Sequence, residues 1–144
     1  VVLNRYLAII VSLNIGLGIL PKFESMKKTI VLGATTNPER YAYLATMRLA
    51  QKGHEVVPVG VKEGDIGGIT IQHGMPDVKD VDTVTLYLGA ARQKDYYNYI
   101  LGINPKRIIF NPGTENEELE QLAQEKGIET VEGCTLVMLS VGGY

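Results

Sequence analysis

From residue 27 onward, strand-type and helix-type segments alternate, and this alternation constrains the fold more than any other feature of the chain. Residues 27–32, 55–59, 83–88, 107–110 and 129–131 are short, largely apolar and β-branched runs of the kind that form buried strands. Between them lie segments with helical spacing. Residues 38–52 carry Tyr41, Leu44, Ala45 and Leu49 on one face, with Asn37 as the expected N-cap, Pro38 at the first position and Gly53 as the stop. Residues 91–101 carry Tyr96, Tyr99 and Ile100 on one face and end at Gly102. A last long helix follows Gly113, with Thr114 and Glu117 as a capping box, Leu119, Leu122 and Ala123 as its stripe, and Gly127 as its end. Residues 62–68 read as a flexible loop before a short strand at 69–71. Pro58 marks the second strand as an edge or a strand end. Alternation of this kind requires parallel pairing through helical crossovers. The expected fold is α/β: a doubly wound, Rossmann-like, mostly parallel sheet with helices on both faces.

At 144 residues the chain suits one domain with a real core, and a hydrophobic fraction of 45% excludes a disordered chain. A net charge of −2 without a basic run argues against a nucleic-acid binder. The single cysteine, Cys134, excludes an intrachain disulfide framework. Residues 1–25 do not match the rest. Residues 6–20 are nearly all apolar, preceded by Arg5 and followed by Pro21 and Lys22. Three readings compete: a signal sequence without a clear cleavage site, a membrane anchor shorter than the ~20 residues a span needs, or an extension upstream of a mis-assigned start. Met26-Lys27-Lys28 just ahead of the first strand favours the last. The expected division is an apolar extension over 1–25 and a domain over 26–144. A chain starting at Met26 is then expected to fold by itself, and membrane contact to matter only if 1–25 is a real anchor.

The chemistry centres on the first strand–helix junction. The run Gly33-Ala34-Thr35-Thr36-Asn37-Pro38-Glu39-Arg40 joins strand to helix. In such a junction free backbone N–H groups and the positive end of the helix dipole face an anion. A dinucleotide fingerprint needs glycine at the first, third and sixth positions, and here these are Gly33, Thr35 and Pro38, so NAD fits poorly. The helix after Gly113 opens with Glu115, Glu117 and Glu118, which answer its dipole and repel a phosphate. A phosphate therefore belongs at the first helix, with Thr35, Thr36, Asn37 and Arg40. The same residues also suit an ordinary strand–helix turn. After Val59, where an NAD site places an acid, stands Lys62, which suits a phosphorylated ribose, either of NADP or of coenzyme A, or else a solvated loop.

No catalytic set is found. His54 lies between the first helix and the second strand, far from the crevice, and His73 reads as a solvated loop residue. No nucleophile elbow, Walker loop or His-Glu zinc motif is present. With no cysteine cluster near either histidine, no metal site is expected. Cys134 reads as a buried, inert thiol or, less simply, a reactive one.

Beyond these readings, Gly33 to Tyr41, Val57-Pro58-Val59, Gly113 with Asn116-Glu117-Glu118, and Gly133-Cys134 resemble, in order and spacing, the small stand-alone CoA-binding proteins. Those are similar to the N-terminal CoA-binding domain of the succinyl-CoA synthetase α subunit. The resemblance covers residues 27–140. It implies that Gly33, Ala34, Thr35, Thr36, Asn37 and Arg40 line the phosphate and pantetheine path. It places Lys62, beyond Val59, near the adenosine end, with Tyr87, Leu88 and Gly89 covering the cofactor from the other side. Many relatives carry an aromatic–arginine pair after the fourth strand, where this chain reads Leu86-Tyr87-Leu88-Gly89. The synthetase's phosphorylated histidine belongs to a further domain, so no ligase activity is implied. The implied function is non-catalytic binding of coenzyme A or an acyl-CoA in the cytoplasm. Its rivals are an NADP-dependent reductase, for which Tyr87 is the candidate substrate-polarising group, and a protein-interaction module that lost its ligand.

Overall fold

A computed structural model describes residues 25–144. The chain forms β1 (Thr29–Leu32), α1 (Tyr41–Gln51), β2 (Val56–Gly60), β3 (Asp65–Ile66), β4 (Ile69–Thr70), β5 (Gln72–His73) and β6 (Thr83–Leu86). It continues through α2 (Ala90–Gln93), a 3-10 turn at Lys94–Tyr96, α3 (Tyr97–Ile103), β7 (Arg107–Phe110), α4 (Glu117–Glu125), β8 (Glu129–Glu132) and α5 (Thr135–Ser140). The main sheet runs β5-β2-β1-β6-β7-β8, and every pairing in it is parallel. β3 and β4 form a separate antiparallel hairpin.

Alternation along the strands divides the core. Ile30, Leu32, Val84, Leu86, Ile108 and Phe110 pack with Ile100, Leu119 and Ala123 of α3 and α4 on one face. Val31 and Ile109 pack with Ala42 and Leu49 of α1 and Leu139 of α5 on the other. The sheet is thus doubly wound with helices on both faces, as the alternation requires. β1 and β6 are central and buried at every residue. Burial on both faces explains why their sequences read as continuous apolar and β-branched runs.

Several local expectations are corrected. The first helix begins at Tyr41, not Pro38, and its N-cap is Arg40, not Asn37. Asn37 instead closes a turn: its Oδ1 accepts from Glu39 N–H and its carbonyl from Arg40 N–H. The 62–68 segment contains β3, whose Ile66 is fully buried, so it is not simply a flexible loop. Residues 91–101 are not one helix but α2, a 3-10 turn and α3, and Gly102 lies inside α3, which ends at Asn104 in the left-handed region. Thr114 does not cap α4; the N-cap is Asn116, whose side chain accepts from Leu119 N–H. His73 lies on the exposed edge strand β5, not in a loop. β2 is flanked by β5 only from Val59 on, so Pro58 does stand where one side of the strand is unpaired. Of the apolar extension, residues 1–24 lie outside the described residues. Among the described residues no helix is long and apolar enough to cross a membrane.

Candidate functional site

The chain leaves β1 toward β2 and β5, then returns to β6 and continues toward β8. The strand order therefore reverses between β1 and β6, and a crevice opens beyond their carboxyl ends. A cavity of about 720 Å³ occupies this position, within the size range of small-molecule sites.

Glycines permit its tight walls. Gly33 has φ +100°, and a Cβ there would stand 3.0 Å from the backbone carbon and oxygen of Tyr87. At Gly60 a Cβ would stand 2.4 Å from the carbonyl oxygen of Ala34. The loops after β1, β2 and β6 thus approach backbone to backbone, held by Gly33 and Ala34 N–H groups on Val59 O (2.9 Å each) and by Tyr87 N–H on Leu32 O (2.9 Å).

All the expected ligand-contacting residues line this cavity except Asn37: Gly33, Ala34, Thr35, Thr36, Arg40, Val59, Lys62, Tyr87, Leu88 and Gly89 converge there. Asn37 is exposed and engaged in its own turn. Tyr41 and Ala42, the first residues of α1, also line the cavity. The Tyr43 and Leu44 N–H groups bond to Arg40 O (3.1 and 3.2 Å), which leaves the Tyr41 and Ala42 N–H groups as the helix-end donors without intrahelical partners. No acidic residue occupies α1's first turn, and its N-cap is a cation, Arg40. A positive side chain at the positive end of a helix dipole is unfavourable unless an anion lies between them.

The sequence reading missed the far wall, where Arg92, Asp95, Pro112, Gly113 and Thr114 line the cavity. Nothing in the periodicity of residues 91–101 marks Arg92, because its placement depends on how α2 breaks from α3. Arg40, Lys62 and Arg92 are exposed, and among the described residues none of the three takes part in an ion pair. On the β7 side, both carboxylate oxygens of Glu115 accept from Gly113 N–H at 3.0 Å. The bonds from its own N–H and from Gly113 hold its carboxyl below the usual range. That backbone donor is already committed to an anion, and Glu117, Glu118 and Glu120 fill the first turn of α4.

Tyr87 does not offer its phenol to the cavity. The hydroxyl is fully buried and has no hydrogen bond of ordinary geometry, although the Thr135 and Thr85 hydroxyls lie near it. Burial pushes its pKa well above the ordinary tyrosine value, an effect that Thr135 only softens. His54 is at the opposite, amino end of the sheet, where its Nδ1 accepts from Lys27 N–H at 2.9 Å. Cys134 is a half-buried free thiol at the N-cap of α5. Among the described residues no cluster of histidine, cysteine and acidic residues could hold a metal.

Residues 27–140 match the family model for the CoA binding domain. The crystal structure of an uncharacterized protein is 58% identical over 84% of this chain and all of its own, with a TM-score of 0.82. A hypothetical protein from Pyrococcus horikoshii OT3 shares the fold at 23% identity and TM-score 0.74, over 83% of this chain and 85% of its own. So does the cell-free ID.343 structure from Thermus thermophilus, at 24% identity and TM-score 0.72, over 82% and 91%. No functionally curated protein matches the sequence.

Proposed function

This chain belongs to the CoA-binding domain family, and we propose that its crevice holds coenzyme A or an acyl-CoA in the cytoplasm without transforming it. The observation that carries the reading is the charge arrangement. Three cations that take part in no ion pair among the described residues line one cavity, one of them at the N-terminus of a helix whose first turn lacks a carboxylate. Such a site attracts a polyanion. The Thr35 and Thr36 hydroxyls, the first N–H groups of α1 and Arg40 take the diphosphate. Lys62, beyond the end of β2, meets the phosphorylated ribose. The reductase alternative names Tyr87 as its substrate-polarising group, and that hydroxyl is buried and does not open to the crevice.

The test is thermal unfolding with equal concentrations of CoA, acetyl-CoA or NAD, followed by chromatographic recovery of the ligand. A ligand at 100 times its Kd stabilises the folded state by about 2.7 kcal/mol. CoA is expected to raise the Tm more than NAD, because only Gly33 of the three fingerprint glycines is present. Acetyl-CoA is expected back intact. A larger shift with NAD would refute the ligand, and hydrolysed thioester would refute the non-catalytic role.

A further inference from the structure

Arg92 stands on the wall of the cavity that faces Lys62 across the switch point, and its neighbour explains why it is held there. Gln93 is fully buried. Its Nε2 donates to Leu88 O (2.8 Å) and Thr114 O (2.7 Å), and its Oε1 accepts from Asn116 Nδ2 (2.9 Å). Leu88 and Thr114 both line the cavity, so this one side chain braces the loop after β6 to the loop after β7. A four-residue helix has no stability of its own; Gln93 fixes α2 and with it the backbone of Arg92. Of the two neighbours, Gln93 faces inward and Arg92 lines the crevice.

We propose that Arg92 grips the diphosphate of the bound coenzyme A from the β6 side, opposite the N-terminus of α1; this rests on the CoA reading above. Lys62 follows β2 and Arg92 follows β6, with β1 between those strands. Adjacent strands are about 4.8 Å apart, so the strand ends behind these two cations lie roughly 10 Å apart. That separation allows the two cations to serve different phosphate groups of one nucleotide. The phosphate on the ribose falls to Lys62. The diphosphate, which must cross the β1–β6 crevice, falls between Arg40 and Arg92. Asp95, three residues after Arg92, also lines this wall. It is not ion-paired to Arg92 among the described residues, so the guanidinium is not neutralised by the protein.

Isothermal titration of wild type, Arg92→Gln and Lys62→Glu with CoA, 3′-dephospho-CoA and pantetheine separates these assignments. Arg92→Gln is expected to weaken CoA and dephospho-CoA by the same factor, about tenfold or more for a charge-assisted contact, and to leave pantetheine unchanged. Arg92→Lys should recover part of the loss. Lys62→Glu should weaken CoA alone. The Tm of unliganded Arg92→Gln should match wild type, because the side chain is exposed. CoA binding indifferent to Arg92, or an Arg92 effect that disappears with dephospho-CoA, would overturn the inference while leaving the CoA reading intact. A wild-type chain that binds no CoA would overturn both.

Discussion

Replacing Gly33 by alanine tests whether the crevice depends on close approach of two backbones. Two costs add. At φ +100° an L-residue sits in the left-handed half of backbone space, at about 1–2 kcal/mol. The new Cβ would also meet the Tyr87 carbonyl group at 3.0 Å and Leu88 Cδ2 at 3.1 Å. Relief by movement is restricted, because Gly33 N–H is bonded to Val59 O and Tyr87 N–H to Leu32 O, both at 2.9 Å. Overpacking of this kind costs about 1–3 kcal/mol. The expected sum is about 3 kcal/mol, or roughly 10 °C in Tm for a domain of this size. Gly53 supplies the control: its φ is +88°, but a Cβ there meets nothing within 4 Å, so Gly53→Ala carries only the first cost. Urea denaturation of both variants isolates the clash. Because the displaced Tyr87–Leu88 backbone is a wall of the cavity, Gly33→Ala should also weaken CoA at least about tenfold, whereas Gly53→Ala should not. Equal destabilisation by the two substitutions, or unchanged CoA affinity in Gly33→Ala, would refute the reasoning.

Two further expectations concern residues away from the crevice. Tyr144 is buried at the amino end of the sheet, with its hydroxyl 2.5 Å from Thr29 Oγ1, the Arg107 guanidinium 4.6 Å from its ring centre and the His54 ring 4.9 Å away. Tyr144→Ala should cost about 3 kcal/mol, as for other buried aromatics cut to alanine, and Tyr144→Phe about 1 kcal/mol; an alanine variant as stable as wild type in urea would contradict this packing. Tyr99 donates to Pro76 O at 2.7 Å, and burial first, then Asp77 and Tyr96, push its pKa up to about 12. The folded state thus holds this proton more tightly than the unfolded chain, so its contribution is complete below pH 10 and is lost as pH rises toward 12; Tyr99→Phe should flatten that part of the alkaline stability curve, and an unaltered curve would exclude the contribution.

Reading the sequence located the elements that bury apolar surface and misplaced those that do not. β7 falls on the expected residues because all four of its positions are buried. β5 has only the exposed Gln72 and His73, which carry no hydrophobic pattern, and its pairing to Val59 and Gly60 is tertiary. The six-residue α5 is too short for helical spacing to stand out. Caps failed for a different reason. Asn37-Pro38 and Thr114 with Glu117 both look like helix starts, yet both serve turns that precede the helices. Local motifs fix which groups bond, whereas the point at which a helix begins depends on where the loop must pass over the crevice. The near wall of the site was legible because one continuous segment, residues 33–40, builds most of it. The far wall was not, because residues 92–96 and 112–114 are distant in sequence and are joined by the tertiary bond from Gln93 Nε2 to Thr114 O.

Gln93 belongs to a wider pattern of buried polar groups beneath the carboxyl edge of the sheet. Asn111 donates from Nδ2 to Thr85 Oγ1 (2.7 Å) and Leu86 O (2.9 Å) and accepts at Oδ1 from Thr135 N–H (2.9 Å). The Thr85 and Thr135 hydroxyls are 2.8 Å apart. Asn116, besides its bond to Gln93, donates to the Tyr97 hydroxyl at 2.7 Å. Strands that end at a crevice leave carbonyl and N–H groups that neither the ladder nor bulk water fully satisfies, and each buried one left unmade costs about 1–3 kcal/mol. Side-chain amides resolve this because they donate and accept at once. An apolar residue at 93 or 111 would bury equally well but would leave the carbonyls of Leu88, Thr114 or Leu86 without these donors. The polar layer therefore fixes which loops meet, and through Gln93 it fixes where Arg92 stands. The shape of the cavity is set by hydrogen bonds between loops on a frame whose stability comes from the apolar faces of the strands, which is why a pattern of hydrophobicity predicts the frame and leaves half of the site unseen.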